Sequence, residues 1–162
     1  MASRIKKNKT IMIVYGPGGH REQVKRLIEF IDEKNEIVEF TEYKVKPIKN
    51  NTKVIRCKSF ETKYSISKFS LITSFFYQFF ISMYYIIKIR PKKIISTGPI
   101  IGVVPIFIAY LFNRESVFIE SWSRFYSKSV SGKICYKLAN KFLVQNEELL
   151  QIYPKAIYVG RL

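Results

Sequence analysis

At 162 residues, 48% of them apolar, the chain is long enough to close one hydrophobic core and too short for two ordinary domains. Its two cysteines, Cys57 and Cys135, stand far apart and outside any CxxC or Cys/His cluster, so neither a zinc site nor a disulfide framework is readable, and no metal or cofactor is expected. A net charge of +16 points to an anionic partner such as nucleic acid, an acidic membrane or a phosphorylated ligand, unless the Lys- and Ile-rich composition only reflects an AT-rich genome.

Residues 1–10 are a basic N-terminal segment, and residues 11–162 are expected to form the single domain. The apolar run after the basic segment is too short for a signal-peptide core and has no small-residue cleavage site, which predicts a cytoplasmic start. "TIMIVYG" reads as a strand buried on both faces and ending at glycine. Beyond "GPGG", Val24, Leu27, Ile28 and Ile31 recur at i, i+3, i+4 and i+7, the apolar stripe of a helix. "EIVEF" (36–40) and "KVIRC" (53–57) read as two further strands. Between Lys44 and Lys68 lie eight Lys or Arg residues and one acid, Glu61, whereas seven of the twelve acids fall between Glu22 and Glu42.

Residues 69–87 carry no charge over nineteen positions, long enough for a membrane span. Ser70, Thr73, Ser74, Gln78 and Ser82 interrupt the run, and it lies between strands that must share one sheet. It is therefore read as a crossover helix. Its aromatic face either packs inward or dips into lipid headgroups beside Lys88, Arg90, Lys92 and Lys93.

"KKIIST" (92–97) predicts a strand ending at Gly98-Pro99, then a helix from about Pro105. "ESVFIES" (115–121) and "KFLVQN" (141–146) predict strands, with Ser131 capping a helix over "GKICYKLAN" between them. Asn146 is the expected cap of a helix over "EELLQIY", and "AIYVG" is the last strand. This alternation predicts a Rossmann-like open α/β fold, a mainly parallel sheet with helices on both faces. Such sheets bind ligands beyond the carboxyl ends of their strands, where strand order reverses. That rule gathers Gly16–His20, Ser96–Pro99, Glu120–Arg124 and Gln145–Glu147 at one edge.

Gly16, Gly18 and Gly19 allow a tight turn with N–H groups at a helix start, where an anion can sit. The spacing is neither GxGxxG nor a P-loop. His20, the one histidine, is a candidate base with an ordinary pKa near neutrality, or a structural residue at the helix start. "GPGGHREQVKRL", "RPKKIISTGP", "ESWSR", "SGKICYKLANKFLVQNEELLQIYPKA" and "YVGRL", in that order, resemble the acceptor-side subunit of the two-part N-acetylglucosaminyltransferase of asparagine-linked glycosylation. They resemble its bacterial capsular and exopolysaccharide counterparts more closely still. The glycine turn is also similar to that of the single-chain transferase acting on the lipid-linked cell-wall precursor.

The resemblance implies the N-terminal, acceptor-binding half of a GT-B glycosyltransferase split into two polypeptides. The partners it implies are a donor-binding subunit, a sugar acceptor on polyprenyl phosphate, an anionic membrane surface, and a UDP-sugar reached mainly through the partner. The sequence departs from the eukaryotic pattern in lacking an N-terminal anchor, so peripheral attachment at the cytoplasmic face is expected. It departs also at Trp122 and Ser123.

On this reading His20 is the base or acceptor-orienting residue. Gly18 and Gly19 form the anion turn, and Ser96, Thr97 and Gly98 line the cleft. Glu120 and Arg124 bind acceptor hydroxyls and phosphate, or pair with each other. Gln145, Asn146 and Glu147 face the donor-side subunit, and Tyr158, Gly160, Arg161 and Leu162 form its docking tail.

Two other classes of function fit parts of the sequence. A nucleic-acid-binding module is not expected, because the aromatics cluster in an apolar block and are not interleaved with basic residues. A stand-alone Rossmann nucleotide enzyme would need Glu39 or Glu42 as its ribose ligand, and the glycine pattern is wrong for it.

Overall fold

A computed structural model describes residues 10–58 and 68–162, with backbone alone for 68–71. The basic segment before Thr10, and Glu61 and Lys63 of the second basic stretch, lie outside the described residues. In chain order the elements are β1 (Ile11–Tyr15), α1 (Gly19–Glu29), β2 (Ile37–Glu42), β3 (Lys53–Cys57), α2 (Lys68–Ile89) and β4 (Lys93–Ser96). A 3-10 turn (Ile100–Gly102) then leads into α3 (Val103–Leu111), β5 (Glu115–Ile119), α4 (Val130–Leu138) and β6 (Lys141–Val144). A second 3-10 turn (Glu147–Gln151) precedes β7 (Ile157–Tyr158).

The strands form one seven-stranded sheet in the order β3-β2-β1-β4-β5-β6-β7, with every pairing parallel. Strand order reverses between β1 and β4, where Val14 is in register with both Phe40 and Ser96. Side chains alternate between faces along each strand. Met12 and Val14 join Phe40, Ile94, Phe118 and Val144 on the face covered by α2, α3 and α4. Ile13 and Tyr15 meet Val24 and Ile28 of α1 on the other. That second face continues through Ile95, Val117 and Ile119, covered by Leu27 and Leu162. The predicted open α/β architecture is the observed one.

Local details differ from the expectations in four places. α3 begins at Val103, with Pro105 inside its first turn, where its missing N–H costs nothing. The cap of α4 is Ser129, whose Oγ accepts from Gly132 N at 2.8 Å. Ser131 is the second residue of the helix and donates its hydroxyl to the Gly98 carbonyl at 2.5 Å. "EELLQIY" forms a five-residue 3-10 turn, because Pro154 follows closely and disfavours helix before it. Asn146 makes no side-chain cap there.

α2 is inverted relative to an ordinary surface helix. Gln78, Ser82 and Ile86, spaced by four, are its buried stripe, while Ile72, Phe75, Phe76, Phe80, Tyr84 and Ile87 are exposed. Gln78 Nε2 donates to the Ile101 carbonyl at 3.1 Å, which pins the helix to the turn after β4. Of the Ile72–Ile89 stretch, 17% is buried; Phe79, Ile81, Met83 and Tyr85 flank the buried stripe against the core, and the rest of its apolar surface faces outward.

Candidate functional site

A cavity of about 310 Å³ opens at the carboxyl ends of β1, β4 and β5, beside the reversal of strand order. Four segments converge on it: His20 from the start of α1, Gly98–Ile100 after β4, Glu120–Arg124 after β5, and Ser129–Ser131 at the start of α4.

His20 is tied to the end of β4 by two hydrogen bonds. Its Nδ1 lies 2.5 Å from the Thr97 carbonyl oxygen, and Thr97 Oγ1 donates to the His20 carbonyl at 3.2 Å. A carbonyl only accepts, so Nδ1 carries the proton and Nε2 holds the lone pair. Among the described residues Nε2 has no hydrogen-bond partner, and the ring lines the cavity. Burial lowers the imidazole pKa below its ordinary value; the Thr97 hydrogen bond and the Glu120 charge oppose that only in part. The ring is thus neutral near pH 7 and oriented, with its unpartnered lone pair on Nε2.

Glu120 is fully buried and engaged on both oxygens. Oε1 accepts from Ser121 N at 3.0 Å, and Oε2 accepts from the hydroxyls of Ser129 at 2.9 Å and Tyr153 at 3.1 Å. Phe142 and Tyr136 pack on Tyr153 with ring centroids 4.6 and 4.9 Å away, aiming its hydroxyl. Burial and the Glu120 carboxylate push the Tyr153 phenol up, so it stays a donor. A Cβ at Gly132 would reach within 2.0 Å of Glu120 Oε2, so the carboxylate requires glycine there. No Glu120–Arg124 ion pair forms among the described residues: Arg124 Nη1 donates to Ser127 Oγ at 3.1 Å.

The remaining predicted residues divide by position. Gly98, at φ +96°, lines the cavity, and a Cβ there would press on His20 Cε1 and the Ile119 carbonyl at 3.3 Å. Thr97 acts behind the cavity, through His20. Ser96 is fully buried under Gly102, whose added Cβ would lie 1.9 Å from Ser96 Oγ, and it does not reach the cavity. Gly18, at φ +65°, and Gly19 are exposed at the lip, and a Cβ on Gly19 would sit 3.4 Å from Trp122 Nε1.

Gln145 and Asn146 point inward. Gln145 Nε2 donates to the Glu120 carbonyl at 2.9 Å, and Asn146 Nδ2 donates to the carbonyls of Trp122 and Arg124 at 2.8 and 2.5 Å. Both side chains are spent on holding the loop after β5, which leaves Glu147 exposed beside them. Tyr158 and Arg161 are exposed, Gly160 turns at φ +75°, and Leu162 tucks against the second sheet face.

Sequence reasoning did not single out Ser129, Gly132 or Tyr153 for the site. The serine-rich run "SRFYSKSVSG" was the available signal for the first two. Glu39 cannot serve as a ribose ligand. It is buried and accepts hydrogen bonds from the Tyr15 hydroxyl, Thr52 Oγ1 at 2.6 Å, and the amides of Ile48 and Lys49 at 2.9 and 3.1 Å. Burial would raise its pKa, but these bonds outweigh burial and hold it low. Burial pushes the Cys57 and Cys135 thiols up to about 12, which removes both as nucleophiles. Among the described residues no group of three His, Cys, Asp or Glu side chains is placed to hold a metal ion.

A family model described as "Oligosaccharide biosynthesis protein Alg14 like" matches residues 11–162. The chain is 28% identical over 180 residues to the mouse protein named UDP-N-acetylglucosamine transferase subunit ALG14, covering 94% of this chain and 82% of that protein. It is 25% identical over 187 residues to the Candida albicans protein of the same name, covering 99% and 84%. Among solved structures it superposes on a UDP-N-acetylglucosamine 2-epimerase with a TM-score of 0.71 at 10% identity, and on Acinetobacter baumannii MurG with a TM-score of 0.62 at 10% identity. Those superpositions establish the fold alone. They cover 92% and 96% of this chain but only 45% and 44% of the epimerase and MurG chains.

Proposed function

Because the chain belongs to the Alg14-like family of oligosaccharide biosynthesis proteins, we propose that it is the acceptor-side subunit of a heteromeric, UDP-sugar-dependent glycosyltransferase. It binds a sugar carried on a polyprenyl phosphate or diphosphate, in lipid-linked oligosaccharide or capsular and exopolysaccharide synthesis. A separate donor-binding partner supplies most of the UDP-sugar site. The naming of its relatives as transferase subunits supports the division of labour.

The observation that carries the reading is His20, neutral, fixed through Nδ1 and open at Nε2 beside the cavity. In the transfer, Nε2 takes the proton of the acceptor hydroxyl as that oxygen bonds to the anomeric carbon. The bond from that carbon to the diphosphate breaks, and its electron pair leaves with UDP. Arg124, the serine hydroxyls of the loop and the amides at Gly18 and Gly19 supply positive potential and donors for acceptor phosphate and hydroxyls. The outward aromatic face of α2, with the basic residues near it, holds the subunit peripherally on the anionic cytoplasmic face of a membrane.

The test is transfer from UDP-N-acetylglucosamine to a short-chain polyprenyl-diphosphate-linked N-acetylglucosamine, with and without a donor-side subunit. The isolated chain is expected to turn over little or nothing and to gain activity with the partner. Robust turnover by the chain alone overturns the reading.

A further inference from the structure

Trp122 sits in the loop after β5, and its neighbours Ser121 and Ser123 line the cavity. Its ring belongs to a different neighbourhood. The guanidinium of Arg26, on α1, lies over it at 5.2 Å from the centroid, and that of Arg161, in the tail, at 5.5 Å. Gly19, next to His20, leaves room for the indole edge.

The tail is fastened to the same loop by a continuous hydrogen-bond path. Arg26 Nη1 donates to the main-chain oxygen of Leu162 at 2.8 Å, Leu162 N donates to Gln145 Oε1 at 3.0 Å, and Gln145 Nε2 donates to the Glu120 carbonyl at 2.9 Å. Two like charges thus share one aromatic ring, and among the described residues neither guanidinium has an Asp or Glu partner: Arg26 is held by the Leu162 oxygen, and Arg161 by the ring alone. A cation is attracted to the face of an indole. Two cations repel each other there, so an arriving carboxylate is favoured.

We propose that Trp122, with Arg26 and Arg161, is a positioning element through which an acidic group of the donor-side subunit sets the acceptor loop. It rests on the two-subunit reading above. An acid engaging Arg161 changes the load on the indole, and the indole carries Ser121 and Ser123 with it. By linkage the effect is reciprocal: filling the cavity changes affinity for the partner by the same factor.

Trp122 is the one tryptophan of the chain, so 5-fluorotryptophan labelling gives a single fluorine NMR resonance from this ring. With labelled chain and unlabelled partner, the resonance is expected to shift on adding partner. Arg161→Gln should shift it in the isolated chain and weaken binding of the polyprenyl-diphosphate N-acetylglucosamine probe by roughly two- to fivefold, the size of an exposed cation–π contact. In the active pair the same variant should raise acceptor KM by that factor at saturating partner, with kcat unchanged, and Arg161→Lys should recover most of both effects.

If Arg161→Gln leaves the resonance, probe affinity and KM at wild-type values, or weakens pairing alone, the coupling is wrong. Wild-type acceptor binding by Trp122→Leu also overturns it. Failure of glycosyl transfer with these probes, while the resonance and probe binding respond as stated, removes the transferase reading and leaves the coupling standing.

Discussion

Fixing one imidazole nitrogen on a backbone carbonyl decides what the other can do, and it makes His20 testable by pH. His20→Ala in the reconstituted pair should lower kcat by about 10²- to 10⁴-fold, the usual worth of a positioned base, with folding and pairing retained. Because burial depresses the ring's pKa, the acid limb of kcat/KM should fall below the ordinary imidazole value near 6.5. The sign for stability follows. A ring that resists protonation when folded costs nothing above its unfolded pKa. Stability is lost as pH falls from there through the lower folded value, and His20→Ala should flatten that slope in urea titrations. Gly132→Ala tests the neighbouring cluster. Its Cβ would meet Glu120 Oε2 at 2.0 Å, Tyr153 Oη at 2.6 Å and Ser129 Oγ at 2.7 Å, all buried or mutually bonded. Overpacking of this kind should cost about 3 kcal/mol, read as a lower urea midpoint at unchanged m-value.

At the scale of an element, α2 turns Gln78 and Ser82 inward and Phe75, Phe76, Phe80 and Tyr84 outward, an arrangement water does not reward. Phe76 and Phe80 stack on each other at 6.5 Å and are each more than half exposed. Introducing Phe76→Glu and Phe80→Glu together should reduce binding to phosphatidylserine-containing vesicles by at least about tenfold, since apolar burial is lost and charges of the wrong sign are added. Transfer to a water-soluble short-chain acceptor should persist, and thermal melting should move little, because neither ring is in the core. Vesicle binding by the wild type should weaken with added salt, as expected of a contact that is partly electrostatic.

For the molecule as a whole, the alternation of elements was legible because parallel strands covered on both faces read as unbroken apolar runs. β3 matches its predicted bounds, and the others differ by a few residues at their ends. The position of the cleft was legible from the same alternation, through the rule of the strand-order reversal. What the sequence could not disclose were choices made by distant neighbours. Ser129 rather than Ser131 caps α4 because Glu120 and Gly132 meet there in space, and Asn146 turns from capping to holding the carbonyls of Trp122 and Arg124. Ser96 reads like a cleft residue beside Thr97 and is sealed under Gly102 by the alternation of the strand. The sheet's parallel pairing also has a consequence in time. No strand can be zipped to its neighbour by a hairpin, and central β1 must await β4, with Ile11 meeting Lys93 only after the whole of α2 has been made. Such non-local pairing slows folding. During the delay the most aromatic segment of the chain is unshielded, so the nascent protein should benefit from a chaperone or a bilayer that reaches α2 before another copy of the chain does.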